Sequence, residues 1–355
     1  MTSATQPARV VQWTTGNVAR QALHAVSKDD RLELVGVYAY SKDKVGRDAG
    51  DLAGLGRTLG VAATDDIDEL VALQPDCVLY MPLHPDVDHM VRLLEAGINI
   101  ATTASFITGR SYGEPARARL EQAARTGGAS LFGSGVNPGF AEYLTAAAST
   151  VSRDVEYVRV LESFDIGLWA GDANQDELGW GRPADDPGHA ADVEKATAPF
   201  SDAVELLAEL LAVELDTIRC DVDFAHTTTD LDIPGRSVSA GTVAGIEAKW
   251  FGTTAGTDVI EVSVRWAISP NLDPAWDIAM AYLIEVRGHP QINVRAEVLP
   301  RDIEALSLDE MLAFGSVITA MPVVSAIPSV VAARPGIITY ADLTTQAARL
   351  TPRRR

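Results

Sequence analysis

The stretch that decides the fold is residues 9–27, which read Arg-Val-Val-Gln-Trp-Thr-Thr-Gly-Asn-Val-Ala-Arg-Gln-Ala-Leu-His-Ala-Val-Ser. Val10 and Val11 open a short apolar strand, residues 14–16 predict a tight turn, and a helical pattern begins at Asn17. A strand, a glycine turn and a helix in this order are typical of the start of a dinucleotide-binding fold. In such a fold the helix N-terminus offers free N–H groups and a partial positive charge to a pyrophosphate.

The turn departs in part from the Gly-x-Gly-x-x-Gly pattern. Thr14 stands at the first position, Gly16 at the second and Ala19 at the third. Alanine suits the third position, which needs only close helix–strand packing, and Gly16 stands where backbone approaches phosphate. The hydroxyl of Thr14 is a further potential phosphate donor, and the alternative interpretation is an ordinary strand–helix turn. The predicted pyrophosphate-binding residues are Thr14, Thr15, Gly16, Asn17 and Val18.

Composition and charge narrow the class of protein. The chain has 355 residues, 47% hydrophobic and 22% charged, which predicts a globular protein of two domains. A net charge of −20 argues against nucleic acid and anionic membrane as partners. With only Cys77 and Cys220 present, neither a disulfide framework nor a cysteine-rich metal site is expected. Residues 1–7 are polar and no apolar run of about 18 residues stands out, so we expect a cytoplasmic protein.

The end of the second predicted strand, residues 32–38, bears on the choice of cofactor. In NAD-binding proteins this strand normally ends in an Asp or Glu that holds the ribose 2′-hydroxyl. Here residues 38–44 read Tyr-Ala-Tyr-Ser-Lys-Asp-Lys, and the first carboxylate comes late. Ser41 and Lys42, with Arg47 further along, suit a 2′-phosphate instead. The sequence therefore favours NADP(H) over NAD(H), although these lysines also fit a solvated loop.

Three more predicted strands, at 76–81, 98–103 and 130–133, alternate with helices. The loops at the carboxyl ends of parallel strands face the cofactor in this fold. We therefore predict that Pro82, Leu83 and His84 border the nicotinamide ribose, with Thr103 as a further cofactor contact. A histidine in such a loop is also commonly solvated or structural.

The loop after the strand at 130–133 reads Ser-Gly-Val-Asn-Pro-Gly-Phe over residues 134–140. Two glycines flanking Asn-Pro indicate a rigid, non-helical segment at a strand end. By chain order, Asn137, Pro138 and Gly139 are predicted to meet the nicotinamide end of the cofactor.

The alternation of strand and helix stops near residue 150. Beyond it, extended segments at 156–166, 217–228, 237–251, 258–268 and 282–298 surround a long loop at 167–189 and a helix at 200–213. A glycine turn at 252–256 predicts a hairpin. The fold class is therefore α/β, with an N-terminal Rossmann domain and a C-terminal α+β domain whose sheet is largely antiparallel or mixed. We predict a Rossmann domain over 1–150, with the helical residues 310–355 packing back on it, and a substrate-binding domain over 151–309.

Three motifs together resemble one family. Residues 12–18 are similar to the Gln-Trp-Gly-Thr-Gly-Asn start of dihydrodipicolinate-reductase-like oxidoreductases, especially those of actinobacteria. The loop 133–140 and the segment 321–328 with Pro335-Gly336 resemble two further marks of that group, and the resemblance covers nearly the whole chain. The group includes 2,4-diaminopentanoate dehydrogenase and the native amine dehydrogenases. It implies NAD(P)H-dependent interconversion of iminium and amine, a cleft between the two domains, and a homodimer built by the second domain.

Two departures from the family pattern qualify this implication. The His-His-x-x-Lys-x-Asp-x-Pro-Ser-Gly-Thr-like motif of true dihydrodipicolinate reductase has no match here. Amine-forming members carry a catalytic glutamate shortly after the strand equivalent to 98–103, but here residues 103–107 read Thr-Ala-Ser-Phe-Ile and no carboxylate precedes Glu114. A serine orients a carbonyl or water by hydrogen bonding but is not an ionised base at neutral pH. Reductive amination with free ammonia is therefore not expected.

The resulting functional hypothesis is an NADP(H)-dependent oxidoreductase that transfers hydride to or from a C=N or C=O carbon of a small organic substrate. The alternatives are an alcohol or keto-compound dehydrogenase and a non-catalytic NADP(H)-binding protein. Ser105 and His84 are the candidate catalytic residues. Glu142 and Asp165 are the nearest carboxylates by chain position that could replace the missing acid. The predicted substrate-binding residues are Ser105, Phe106, Phe140, Glu142, Asp165 and Trp169, with core packing as the alternative for Phe140 and Trp169.

Overall fold

The computed structural model describes residues 6–171 and 173–343. The chain divides into two compact units. The first comprises Met1–Val136 together with Ala313–Arg355, and the second comprises Asn137–Leu312.

The first unit is built on a seven-stranded parallel sheet with strand order β16-β6-β5-β4-β1-β2-β3. Its strands are β1 (Ala8–Trp13), β2 (Leu32–Tyr38), β3 (Ala63–Thr64), β4 (Cys77–Tyr80), β5 (Asn99–Thr102), β6 (Ser130–Gly133) and, last in the chain, β16 (Gly336–Ile338). Its helices are α1 (Asn17–Val26), α2 (Ala49–Ala53), α3 (Ile67–Ala72), α4 (Val87–Glu95) and α5 (Glu114–Gly127). A parallel sheet whose strands alternate with helices is the Rossmann arrangement, so the predicted fold of this part is confirmed.

Local sequence signals account for the helix boundaries of this unit. The apolar residues of α1 recur at helical spacing, and Ala19, Ala22, Leu23 and Val26 are all buried. Asp86 caps α4 by accepting the N–H groups of Asp88 and His89. Helix α5 has a proline in its first turn and is capped at its C-terminus by Gly128, whose φ of 71° lies in the left-handed region that glycine favours.

The second unit contains a seven-stranded mixed sheet with strand order β13-β8-β11-β12-β7-β14-β15. Its neighbouring strands are antiparallel except for β12 and β7, which are parallel. The strands are β7 (Arg153–Asp165), β8 (Thr217–Thr227), β11 (Val243–Thr254), β12 (Thr257–Ala267), β13 (Leu272–Asp273), β14 (Ala281–His289) and β15 (Ile292–Ala296), and β9 (Leu231–Ile233) pairs with β10 (Arg236–Val238) in a separate two-stranded sheet. The helices that begin and end within the unit are α6 (Phe140–Ser149), α7 (His189–Ala196) and α8 (Pro199–Leu210). The predicted hairpin across the turn at 252–256 is confirmed by the antiparallel pairing of β11 with β12.

The structure differs from the expected organisation at two places. The second unit begins at Asn137 rather than near 150, because α6 packs against β7, β14 and α8 of that unit. Short 3-10 helices at Gly167–Trp169 and Ala173–Leu178 occupy part of the predicted long loop.

Helix α9 (Leu308–Val331) is one continuous helix. It passes through Pro322 and Pro328, each of which removes one backbone donor without ending the helix. With 24 residues and a mean hydropathy of 1.8, it is long and apolar enough to cross a membrane by length and composition alone. This corrects the expectation that no such segment is present. Six of its residues, Ala320, Val323, Val324, Ala326, Ile327 and Val330, are buried, and most of the others are half-buried.

Candidate active site

The glycine turn of the first unit is closed by a threonine in a conformation that glycine favours. Thr14 has a φ of 77°, and its backbone N–H donates to the Tyr38 carbonyl oxygen at 2.9 Å. A β-branched residue at positive φ is strained, and such strain is typical of functional turns. The Thr14 hydroxyl donates to the Met81 carbonyl oxygen at 3.0 Å. Its one proton is therefore directed to the end of β4 rather than to a phosphate.

The N-terminus of α1 is open at Gly16. Gly16 has an ordinary φ of −75°, and a Cβ added there would meet no atom of the described residues within 4 Å. The first helical bond runs from the Arg20 N–H to the Gly16 carbonyl oxygen at 2.9 Å. The N–H groups of Asn17, Val18 and Ala19 therefore have no acceptor within the helix, and in the described part of the chain no side chain caps them. An open backbone with free donors fits the pyrophosphate of a dinucleotide.

Two lysines follow β2, and the structure directs them to different places. Lys42 is highly exposed and forms an ion pair with Asp65. Lys44 is half-buried, and its Nζ donates to the Thr15 hydroxyl oxygen at 3.1 Å. Lys44 thus lies on the glycine turn itself, whereas the sequence analysis singled out Lys42 and Ser41. Ser41 is exposed in the turn that leads to Lys44.

The predicted ribose-side residues follow β4 directly. Pro82 is buried, while Leu83 and His84 are exposed, Leu83 to 59% of its surface. Thr103, which follows β5, is half-buried. These positions are compatible with ligand contact at the carboxyl edge of the sheet.

The loop after β5 separates two residues that were predicted to act together. Ser105 is exposed and has a φ of 53°, so it is held in the left-handed region. Phe106 is only 1% exposed and packs edge-on against Tyr112 in the core of this unit. A Cβ on Gly133 would lie 1.7 Å from the Phe106 carbonyl oxygen, which shows how tightly the segment is packed. The predicted substrate-lining role of Phe106 is therefore corrected to a core role.

In the second unit, the Asn-Pro-Gly loop is tied to the start of α6. Gly139 has a φ of 129°, which only glycine adopts readily, and its N–H donates to Glu142 Oε2 at 2.5 Å. Glu142 is fully buried, and its Oε1 has no hydrogen-bond partner among the described residues. Burial is the main cause that raises the pKa of Glu142 to about 7, and the neighbouring charge of Glu162 adds to it.

Glu162, which the sequence analysis did not select, lies at the centre of this cluster. Its Oε2 accepts from Asn137 Nδ2 and its Oε1 from Trp266 Nε1, both at 2.9 Å. Tyr282 stands directly opposite Glu162 in the β7–β14 register. Burial raises the pKa of Glu162 to about 7, against the two hydrogen bonds, which lower it.

The three remaining predicted substrate residues also lie in the second unit. Phe140 begins α6 and is 41% exposed. Asp165 is exposed at the end of β7, where its Oδ1 accepts the Gly167 N–H at 2.9 Å. Trp169 is half-buried, and its Nε1 donates to the Leu312 carbonyl oxygen at 3.1 Å. The structure thus ties the Asn-Pro-Gly loop to Glu162 through Asn137 and to Glu142 through Gly139, whereas Asp165 and Trp169 make separate contacts.

Residues that sequence reasoning missed carry weak local signals. Glu162 interrupts the apolar face of a strand, because Val158, Val160 and Glu162 share the even positions of β7. A carboxylate on the buried face of a strand needs hydrogen-bond donors, and this requirement is the signal for Glu162 that the sequence contains. Nothing in the spacing around Lys44 distinguishes it from Lys42.

The chain is similar in sequence to known proteins. Residues 190–354 match the family model described as the 2,4-diaminopentanoate dehydrogenase C-terminal domain. The chain is 30% identical to an amine dehydrogenase of Streptomyces virginiae over 351 residues, which is 94% of this chain and 95% of that protein.

Solved structures show the same fold. The structure of an amine dehydrogenase from Mycobacterium smegmatis superposes with a TM-score of 0.76 at 22% identity, over 96% of this chain and 97% of that one. A probable dehydrogenase from Thermotoga maritima superposes with a TM-score of 0.54 at 14% identity, over 92% of this chain and 90% of that one.

A Rossmann unit with an open glycine turn, in a chain so similar to a dehydrogenase, defines the class: the protein is an NAD(P)-dependent oxidoreductase. Within that class, the chain belongs to the 2,4-diaminopentanoate dehydrogenase and amine dehydrogenase-like family. The predicted family is therefore confirmed.

Proposed function

We propose that this enzyme transfers hydride between NADP(H) and the C=N carbon of a small organic imine or amine. The observation that carries the proposal is the 30% identity to an amine dehydrogenase over 94% of the chain. Reduction of a C=O carbon is the second reaction that the same cofactor chemistry permits. Free ammonia is not expected to serve as a substrate, because residues 103–107 lack the glutamate of the amine-forming members.

The preference for NADP(H) is supported by the charges after β2. No carboxylate follows Tyr38 until Asp43, so the usual partner of a ribose 2′-hydroxyl is missing at the strand end. Lys44, whose Nζ contacts the glycine turn, provides a cation suited to a 2′-phosphate. Ser41, in the turn that leads from β2 to Lys44, provides a hydroxyl. Lys42 is the weaker candidate, since it is highly exposed and already pairs with Asp65.

The chain's own residues provide binding and orientation, while the bound nicotinamide supplies the hydride. The free N–H groups at the start of α1 hold the pyrophosphate, and Gly16 leaves room for it. Pro82, Leu83 and His84 contact the ribose. In the second unit, Asn137, Pro138 and Gly139 present the substrate-side surface, fixed through Glu162 and Glu142.

A side-by-side substrate panel tests the proposal. Purified protein is assayed with NADPH and with NADH against 2-methyl-1-pyrroline, cyclopentanone, and cyclopentanone with ammonium, and with NADP⁺ against cyclopentanol and 2-methylpyrrolidine. We expect turnover of the cyclic imine and its amine, faster with NADP(H), and none that depends on ammonium. Turnover of only the ketone and alcohol would establish the alcohol or keto-compound dehydrogenase instead. Tight NADPH binding without turnover on a wider panel would establish a non-catalytic binding protein.

The homodimer remains a proposal. It is supported by the sheet of the second unit, which packs α6 and α8 on one face and carries interstrand ion pairs such as Arg159–Glu261 and Arg265–Glu247 on the other. Light scattering distinguishes a dimer from the 37.8 kDa monomer.

A further inference from the structure

The cluster around Glu162 fixes the orientation of one amide. A carboxylate only accepts hydrogen bonds, so the Asn137 atom that faces Glu162 Oε2 at 2.9 Å must be the amide nitrogen. The other carboxylate oxygen of Glu162 is held at 2.9 Å by Trp266 Nε1, which only donates. The amide of Asn137 therefore cannot flip without placing its oxygen against a carboxylate. Its Oδ1 is presented on the side away from Glu162.

Two buried acceptors are left open by this arrangement. Asn137 Oδ1 and Glu142 Oε1 are both buried and have no hydrogen-bond partner among the described residues. Glu142 is 0% exposed, and its second oxygen is bound to the N–H of Gly139, two residues from Asn137. An unpaired buried acceptor costs about 1–3 kcal/mol. Two of them within six residues, one in the loop and one in the first turn of α6, indicate a site that is completed by a donor from outside the chain.

We propose that Glu162 is a positioning residue that turns Asn137 Oδ1, together with Glu142 Oε1, into an acceptor-only site for the N–H of an iminium or amine. This inference rests on the proposed function, because it specifies which reacting group that function selects. The ligand class is a small molecule with an N–H bond at the reacting C–N unit, such as the iminium that 2-methyl-1-pyrroline forms by taking a proton from solvent.

The chemistry of hydride addition explains the value of such a site. When hydride adds to an iminium carbon, the π electron pair moves to nitrogen, the N–H bond stays intact, and a neutral amine results without a further proton. When hydride adds to a ketone, the oxygen takes the electron pair and requires a proton from a donor. Acceptors stabilise the N–H of the iminium but repel the developing oxyanion, so the site favours C=N over C=O.

The state of Glu142 sets the pH at which this selectivity is measured. Its pKa is raised to about 7, and the titratable groups near it are Glu162 on β7 and Tyr282 on β14. A protonated Glu142 would itself donate to a carbonyl oxygen. Glu162, whose pKa is likewise raised to about 7, no longer fixes Asn137 when it is protonated. Per iminium present, the preference for imine over ketone is therefore expected to be greater at about pH 8 than at about pH 6.

The first test examines the positioning directly and needs no substrate. The chain has six asparagines, so selective ¹⁵N-asparagine labelling leaves six side-chain amide pairs, and Asn137→Asp identifies the one of interest. In Glu162→Gln, whose side chain either donates or accepts, the Asn137 amide signals should move or split. Glu285→Gln is the matched control, because Glu285 lies on the same sheet at an odd spacing from Tyr282 and so on the opposite face. Unchanged Asn137 signals in Glu162→Gln would overturn the positioning role.

The second test measures selectivity in the intact enzyme. The ratio of kcat/KM for 2-methyl-1-pyrroline to that for cyclopentanone should fall at least about tenfold in Glu162→Gln. The Kd for NADPH should stay close to wild type, the unfolding midpoint should not fall, because the raised pKa of Glu162 makes its ionised form costly, and Glu285→Gln should keep the ratio. An unchanged ratio in Glu162→Gln would refute the inference. If the wild-type enzyme turned over neither compound, the proposed function would fail, while the amide signals would still decide the role of Glu162.

Discussion

Replacement of Gly16 by valine should impair cofactor binding without impairing folding, because the backbone and the surrounding space at residue 16 both accept a side chain. Its φ of −75° is available to any residue, and a Cβ there meets nothing within 4 Å. A nonpolar side chain at this helix cap lowers the free energy of unfolding by up to about 1 kcal/mol. Valine also makes the unfolded chain less flexible than glycine does, which raises the free energy of unfolding by about 0.4–1 kcal/mol. The free energy of unfolding should therefore change by less than about 1 kcal/mol.

The effect on binding is expected to be much larger. The valine side chain would occupy the space beside the free N–H groups of α1, where the pyrophosphate is proposed to lie. Each hydrogen bond to a charged group contributes about 1.5–3 kcal/mol, so the loss of two raises the Kd for NADPH at least about a hundredfold.

Fluorescence titration with NADPH measures the Kd, and urea denaturation of the same preparations measures stability. Gly315→Ala is the control, since Gly315 also has open space at its Cβ but lies in α9, outside the glycine turn. A Gly16→Val variant that is stably folded and binds NADPH within about threefold of wild type would refute the proposed phosphate site.

Three further outcomes are expected. Lys44→Ala should weaken NADPH binding about tenfold and NADH binding little, with a smaller effect for Lys42→Ala, and equal losses for both cofactors in titrations would contradict a 2′-phosphate role. Because the folded state raises the pKa of Glu142 from 4.5 to about 7, its contribution to stability is present below pH 4.5 and lost as pH rises to about 7. Glu142→Gln should therefore gain up to about 3 kcal/mol over wild type between pH 4.5 and 7.5 in urea denaturation, and a pH-independent difference would argue against the shift. Gly133→Ala should lose about 2 kcal/mol or more and melt at a lower temperature, because its Cβ would lie 1.7 Å from the Phe106 carbonyl oxygen, and an unchanged Tm would contradict this close packing.

The Rossmann half of the fold could be predicted because its signals are local. Strands β2 and β6 begin and end where the apolar runs predicted, and α5 has a proline in its first turn and glycines at its end. The open turn at Gly16 follows from the same residues that predicted it. Periodicity and turn chemistry act over a few residues, so a single sequence carries them in readable form.

The tertiary structure alone decided which distant residues meet. Strand β16 joins the sheet beside β6, a pairing that its short run Ile337-Ile338 did not predict. Glu162 reaches Asn137 across 25 positions because α6, which follows the Asn137 loop, packs against β7. Trp266 reaches Glu162 across 104 positions because β12 pairs with β7. The sequence by itself determined the dinucleotide-binding start and the family. Which donors and acceptors pair in the second unit was decided by the tertiary structure, because such pairing depends on sheet topology and desolvation rather than on neighbouring residues.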